Sequence, residues 1–486
     1  MVRAMAEPGS SLAAPSERAD RRPGAPIRPA IVLAGTVLLL WPSLLNWHPY
    51  LFWDSYGYFL QGKAYAQLLL GWLGLAPAPV ETEPGWIGAA ARMLARDPAI
   101  RSPSWSLLSY VLAVSGSFWL LALLNAAVAA ATLELVLVRL FNVLPARRLA
   151  IVAGMASLTS LPWFACFLMP DLYAGLLILA AGIVAFAWPT LRPAERYAGS
   201  MLLLLAITFH GSHLLLAVTL MPIAMLLPLA HDTRRARAMR LTLPILAAVA
   251  FQLGVSWLGF SQLTLTPQAP PFLLARSWED GPARAYLTAA CPDAGWTICA
   301  HLDRLAASAQ EFLWRAQDSY WSLDLDQRAA LRAEEGAILR QAIGAAPLAQ
   351  LRASTGNALD QLVRFGLDDF VLGRGAAVTP DDYTFVYLPL APAAVWGLGL
   401  FSATIYLTVL AASAVVAAKL WRHRSPATDP AIACCLLVLA ALVLNAAICG
   451  VLSGPNDRYQ ARVAWLLPLM AAGLMARSRQ PRAAAP

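Results

Sequence analysis

The sequence predicts an all-α polytopic membrane protein, and three observations carry that reading. The 486 residues are 59% hydrophobic and only 13% charged, where an ordinary soluble protein carries roughly 25% charged residues. Apolar runs of spanning length recur along the chain, and basic residues collect between alternate runs. A soluble enzyme of this size cannot cover so much apolar surface with so few charges, and a disordered chain or a disulfide-framed secreted module fits no better. In a soluble protein the net charge of +8 would point to nucleic acid. Here basic residues held on the cytoplasmic side account for it, and no nucleic-acid partner is expected.

Residues 1–29, rich in Ala, Pro, Ser and Arg, read as a disordered cytoplasmic tail. A span needs about 20 apolar residues, fewer where a helix is short or broken. Ten are expected, at about 30–46, 116–141, 148–167, 172–189, 197–211, 213–230, 240–259, 393–418, 430–452 and 458–476. The first resembles a signal sequence, but the stretch from Trp41-Pro42 to Trp53 has no small-residue cleavage site, so it reads as an uncleaved anchor. The apolar run at 197–230 breaks only at His210-Gly211-Ser212-His213. If it crosses twice, 20 of the 36 basic residues fall on the inside segments and every short inside loop is basic. Both termini then face the cytoplasm of a bacterial inner membrane.

Two large outside segments follow from this map. The first, at 47–115, mixes Phe52, Trp53, Tyr56, Tyr58, Phe59, Tyr65, Trp86 and Trp105 with polar residues, a pattern of helices lying in the membrane interface. With it, 30–259 form one transmembrane module. The second, at 260–392 between spans seven and eight, has ten Arg against fifteen acids and no strand-like alternation, and reads as a helical periplasmic domain. Within it Cys291 and Cys299 are expected to pair in an oxidising compartment. Cys166, Cys434, Cys435 and Cys449 read as small core residues. Residues 393–486 supply the distal spans and a short cytoplasmic tail.

Ionisable groups at a membrane are costly, so their distribution is informative. Asp54 and Arg101 bracket the first outside segment, Asp171 lies in the turn between spans three and four, and His210 and His213 lie in the next outside turn. Asn456-Asp457-Arg458-Tyr459-Gln460-Ala461-Arg462 opens the last span from outside. Each residue also has a plain structural reading. Asp54 and Asp171 are well placed to cap helices, and Arg458 and Arg462 to snorkel to lipid headgroups. The i, i+4 spacing of those two arginines equally makes a clamp for a phosphate or pyrophosphate. His210 and His213 have metal-ligand spacing on one turn without a further ligand motif nearby, so hydrogen bonding or substrate contact is the better reading. Glu134, in an apolar span, reads as a paired structural residue near the inside.

The layout resembles the GT-C superfamily of membrane glycosyltransferases, which take sugars from polyprenyl-phosphate carriers. An acid follows the first span in Phe52-Trp53-Asp54-Ser55-Tyr56-Gly57-Tyr58, and interfacial helices come next. Arg101-Ser102-Pro103-Ser104-Trp105-Ser106-Leu107-Leu108 leads into the second span, and Met169-Pro170-Asp171-Leu172-Tyr173 supplies a second acid. The likeness covers residues 30–260. It departs at Ser55, where many members carry another acid, which weakens the case for a metal held by this loop. The resemblance implies a sugar transferase acting at the periplasmic face, with a polyprenyl-phosphate-linked sugar, membrane lipid and a glycan or lipid acceptor as partners. Asp54 would be the general base and Asp171 a positioning acid. Arg458 and Arg462, with Arg101, would hold the departing phosphate, and His210, His213, Asp457 and Tyr459 would line the substrate site. A divalent metal at Asp54 and Asp171 is the one cofactor left open. Alternative readings are an O-antigen-ligase-like or polymerase-like transferase, and a non-catalytic transporter or scaffold of envelope biogenesis.

Overall fold

A computed structural model describes residues 26–75, 101–115, 117–227, 232–267, 269–291, 293–315, 317–372, 374–376, 386–388, 390–422 and 429–477. Most of the expected N-terminal tail, and Trp86, lie outside the described residues. The described chain is helical, apart from a hairpin that pairs β1 (Arg374–Ala376) antiparallel with β2 (Val386–Leu388). That hairpin is the exception to the all-helical expectation.

In chain order, α1 (Pro29–Leu39) and α2 (Trp41–Asn46) lead to α3 (Trp53–Trp72) and α4 (Pro103–Ser115). Then come α5 (Phe118–Arg139), α6 (Pro145–Leu158), α7 (Leu161–Ala165) and α8 (Leu172–Gly182), which is continued to Thr190 by a π turn and a 3-10 turn. Next are α9 (Pro193–Phe209), α10 (Gly211–Leu226) and α11 (Arg234–Phe260). A second group comprises α12 (Phe272–Asp280), α13 (Pro282–Ala290), α14 (Ala309–Trp314), α15 (Leu325–Ala345) and α16 (Pro347–Val363). The chain closes with α17 (Pro392–Arg422), α18 (Pro430–Leu452), α19 (Asp457–Ala464) and α20 (Leu466–Ala476).

Six of these stretches are long and apolar enough to cross a membrane: Pro29–Asn46, Phe118–Arg139, Leu172–Thr190, Arg234–Phe260, Pro392–Arg422 and Pro430–Leu452. The other four expected spans are helical but shorter or interrupted. α6 stops at Leu158, before the separate turn of α7. The 197–230 stretch divides at His210, whose extended backbone ends α9 and starts α10. The last span is divided at Trp465 into α19 and α20. The first two breaks fall at polar or proline-bearing turns, Thr159-Ser160-Leu161-Pro162 and His210-Gly211-Ser212-His213, and the third falls at Trp465.

One apolar core unites the helices of this body, from Leu39 through Trp163, Leu176 and Val438 to Met470. At the end away from Asp171 the buried charges Glu134, Arg139, Arg148 and Glu195 are paired. Glu134 is fully buried, pairs with Arg148 and accepts the backbone N–H of Arg28, as its apolar surroundings require. Arg139 grips Glu195 with two hydrogen bonds, of 2.9 and 2.6 Å.

The 260–392 segment is less uniform than composition suggests. Its first part has a separate core built on Leu274, Trp278, Leu287, Phe312, Leu331 and Ile338, and the Cys291–Cys299 disulfide closes beside it with a Cα–Cα separation of 5.5 Å. Its last part belongs to the main body instead. α16 lies along α18, and Phe365, Leu367 and Phe370 enter the main core. Phe370 packs 4.5 Å from Phe167, ring centre to ring centre.

Candidate functional site: a buried guanidinium pair

Backbone and hydroxyl fasteners bring together segments that are distant along the chain. Tyr50 N–H donates to the Cys166 carbonyl at 2.8 Å, Leu168 N–H donates back to Tyr50 at 2.9 Å, and the Ser55 hydroxyl donates to the Leu168 carbonyl at 3.0 Å. The start of α3, with Asp54, is thereby tied to the segment leading into Asp171. Ser102 and Ser104 donate to the carbonyls of Phe209 and Thr208 at 2.6 and 2.8 Å, which sets Arg101 beside the His210 turn. The Ser160 hydroxyl donates to the Ala461 carbonyl at 2.6 Å, fixing α19 against the α6–α7 junction.

Close packing completes the placement. A Cβ on Gly175 would lie 2.5 Å from the Trp465 ring, so only glycine lets α8 approach that indole. Trp465 Nε1 in turn donates to the Arg462 carbonyl at 2.8 Å.

At the centre is one carboxylate between two guanidiniums. Asp171 Oδ1 accepts from Arg462 Nη1 at 3.3 Å and lies 3.8 Å from Arg458 Nε. The three side chains are 3%, 1% and 6% exposed respectively for Asp171, Arg462 and Arg458. Asp171 occupies the N-cap position of α8 but makes no capping bond, so the helix-cap reading of its carboxylate is set aside. Asp54 does not cap either. Ser55 supplies the capping contact to Phe52 N–H, and Asp54 Oδ1 accepts from Arg101 Nη2 at 2.5 Å.

Arg462 is held from several sides: its Nη2 donates to Asn445 Oδ1 at 3.1 Å and to Ser212 Oγ at 3.3 Å, and meets Cys449 Sγ at 3.2 Å. Arg458 is held differently. Its guanidinium stacks 4.0 Å from the Phe52 ring centre and 5.0 Å from that of Tyr459. Among the described residues its Nε and Nη1 are buried and make no hydrogen bond, and the same is true of Arg462 Nε. Buried guanidinium donors without partners are costly. Arg458 also feels the charges of Asp54 and Asp369, so it is the unpartnered N–H groups, rather than an excess of positive charge, that suit this site to an incoming anion.

The remaining expected site residues divide. His210 lies in the field of Arg462, Arg458 and Arg101. Its Nδ1 accepts the Ser212 N–H at 3.2 Å, which leaves Nε2 to carry the proton of the neutral ring. His213 Nδ1 donates to the Ala206 carbonyl at 2.8 Å, and its buried Nε2 has no partner among the described residues. Tyr459 lies under both arginines and shares a 3.0 Å hydrogen bond with Ser453. Asp457 corrects the expectation. Its Oδ1 accepts from Gly366 N–H at 2.7 Å and from the Tyr406 hydroxyl at 3.3 Å, so it fastens the 364–370 segment and does not face the arginine pair. No cluster of three or more His, Cys, Asp or Glu able to hold a metal occurs among the described residues. Asp54 and Asp171 each face a guanidinium.

Sequence reasoning missed Asp369, Asn445, Ser212 and Cys449. Asp369 Oδ2 accepts the Arg458 N–H at 3.0 Å beside the Asn456 cap at 3.1 Å. Burial pushes its carboxyl above the usual range against the opposing pull of Arg458. The only available signal was an acid pair set between Phe365 and Phe370. Cys449 was read as core filling, yet it touches the site arginine.

Searches of protein-family models, curated proteins and solved structures each find no match to this chain.

Proposed function

We propose that the protein is an integral membrane glycosyltransferase of the bacterial inner membrane. It spans the membrane about ten times and transfers a sugar from a polyprenyl-phosphate donor to a glycan or lipid acceptor at the periplasmic face. The observation that carries this reading is the pair of buried guanidiniums, Arg458 and Arg462, with unpartnered N–H groups beside Asp171. Such donors suit a phosphate that gains charge as it departs. In this scheme the acceptor oxygen bonds to the sugar's anomeric carbon while the bond from that carbon to the phosphate oxygen breaks. The phosphate leaves with the electron pair, and Asp54, whose side chain is 26% exposed against 3% for Asp171, takes the acceptor proton. Arg101 orients Asp54, Asp171 spaces the two arginines, and the neutral His210 offers an Nε2–H donor. The gathering of these charges at one end of the helical body favours chemistry at a surface over passage through the membrane, for which polar groups would continue toward the midplane.

The test is transfer from a polyprenyl-phosphate-sugar pool in inverted and right-side-out vesicles. Asp54→Asn should abolish transfer while insertion and expression stay unchanged. Full activity in that variant, or labelling that places residue 171 or 458 on the cytoplasmic side, overturns the reading.

A further inference from the structure

A long open groove runs down the outside of the helical body between α6, α17 and α20. Its volume is about 880 Å³, within the roughly 300–1,000 Å³ of sites that hold a whole small ligand. Its walls are almost entirely apolar, and its depth comes from small side chains on all three helices: Ala150 and Gly154, Ala411 and Ala412, Ala471 and Ala472. Arg147 closes one end. It is exposed, reaches the Ala476 carbonyl at 3.4 Å, and has no carboxylate within ion-pairing distance among the described residues. Its neighbour Arg477 is different, being neutralised by Asp429. The C-terminal end of α20 lies at Arg147 through Ala476, and at the other end the lining reaches Leu158 and Thr159.

We infer that this groove binds one anionic phospholipid, with its acyl chains along α6, α17 and α20 and its phosphate on Arg147. Length decides the class of occupant. From Arg147 to Leu158 the α6 wall rises about 17 Å at 1.5 Å per residue, close to half of the roughly 30 Å hydrocarbon layer. The groove therefore matches the chains of a single leaflet. A long polyprenyl chain would overrun it. Charge selects the headgroup, because an unpaired guanidinium at the groove mouth favours a phosphate without a compensating ammonium. The site is separate from the Asp171 cluster and does not depend on the transferase reading.

Native mass spectrometry of the full chain, purified in mild detergent, tests this, with lipid extraction to identify what is retained. One anionic phospholipid should stay bound per chain. Ala472→Trp, which fills the groove from α20, should reduce retention roughly tenfold, and Ala411→Trp, from the exposed side of α17, should do the same if the first variant fails to fold. Arg147→Gln should keep a lipid but lose the preference for anionic over zwitterionic headgroups in a vesicle-exchange competition. Retention unchanged in both tryptophan variants would mean loosely associated annular lipid and would overturn the site. Retention of polyprenyl phosphate in place of phospholipid would overturn the assigned ligand.

Discussion

Asp171 accepts a hydrogen bond from Arg462 across 291 positions of sequence, at 3.3 Å and out of contact with water. Its charge also opposes that of Arg458 at 3.8 Å. Removing the carboxylate takes from both arginines the anion they share, and breaking a buried ion pair typically costs about 3–5 kcal/mol. Asp171→Asn should therefore lower the thermal midpoint of the detergent-solubilised protein. Inorganic phosphate or pyrophosphate should raise the midpoint of the variant more than that of the wild type, because an anion replaces the missing charge. Equal shifts in both proteins would deny an anion site between the arginines.

Arg458 contributes differently from Arg462, since its guanidinium stacks on Phe52 while the start of its helix is capped independently by Asn456 and Asp369. Arg458→Lys leaves those backbone caps in place but removes the planar fork and the stacking. Transfer should fall by roughly 10²–10³-fold, the usual effect of losing one preorganised donor, with the thermal midpoint nearly unchanged. A large drop in midpoint with normal turnover would assign Arg458 to packing alone.

The long apolar runs and the basic residues at one set of helix ends were legible from sequence, because hydropathy and the cost of buried charge act locally. Which runs form continuous helices was not. Whether α9 and α10 join, or α19 and α20, depends on single residues such as His210 and Trp465 whose backbone geometry is set by neighbours. The site followed the same division. Polar residues amid apolar ones marked Asp171, Arg458 and Arg462, but nothing local distinguishes Asp457 from Arg458. Adjacent helical positions point about 100° apart, and here that rotation sends one to the Gly366 backbone and the other to Phe52. Asp369 was hidden among the fifteen acids of its segment, since its burial comes from Phe365 and Phe370 entering a core built elsewhere.

Gly175 sets the distance between the Asp171 helix and the Arg462 helix. Adding a methyl group places it 2.5 Å from Trp465 Cζ2 and 2.9 Å from Cε2, atoms of a rigid ring that is fully buried. Overpacking of this kind typically costs about 1–3 kcal/mol. Gly175→Ala should reduce both the thermal midpoint and transfer, and the smaller ring of a Gly175→Ala, Trp465→Phe double variant should restore part of the midpoint. A double variant no better than additive would break the proposed coupling.

The disulfide offers a test of the outer helical core. Cys291 and Cys299 are eight positions apart, and closing so short a loop is worth about 2–3 kcal/mol on the chain-entropy model. A Cys291→Ser, Cys299→Ser variant of the full chain should be cut faster by a protease within 272–345, while fragments of the membrane body appear at the wild-type rate. Accelerated cutting in both regions would show that the two cores unfold together.

Glu335 links that same core to pH. Its Oε1 accepts from the backbone N–H groups of Leu273 and Leu274 at 3.0 and 3.1 Å, at the start of α12. Burial raises its pKa above the usual carboxylate value, and those two hydrogen bonds only partly oppose the shift. The folded domain therefore holds the Glu335 proton more tightly than the unfolded chain does. The resulting stabilisation is fully present below the unfolded pKa of about 4.3 and is lost as pH rises through the raised folded value. Glu335→Gln keeps an acceptor for both N–H groups and removes the titration. Hydrogen exchange of amides in 272–345 should show the wild type losing protection relative to Glu335→Gln as the pH is raised from acid toward neutral. A wild type that gains protection over the variant along that path would mean the ionised carboxylate is the form the fold prefers.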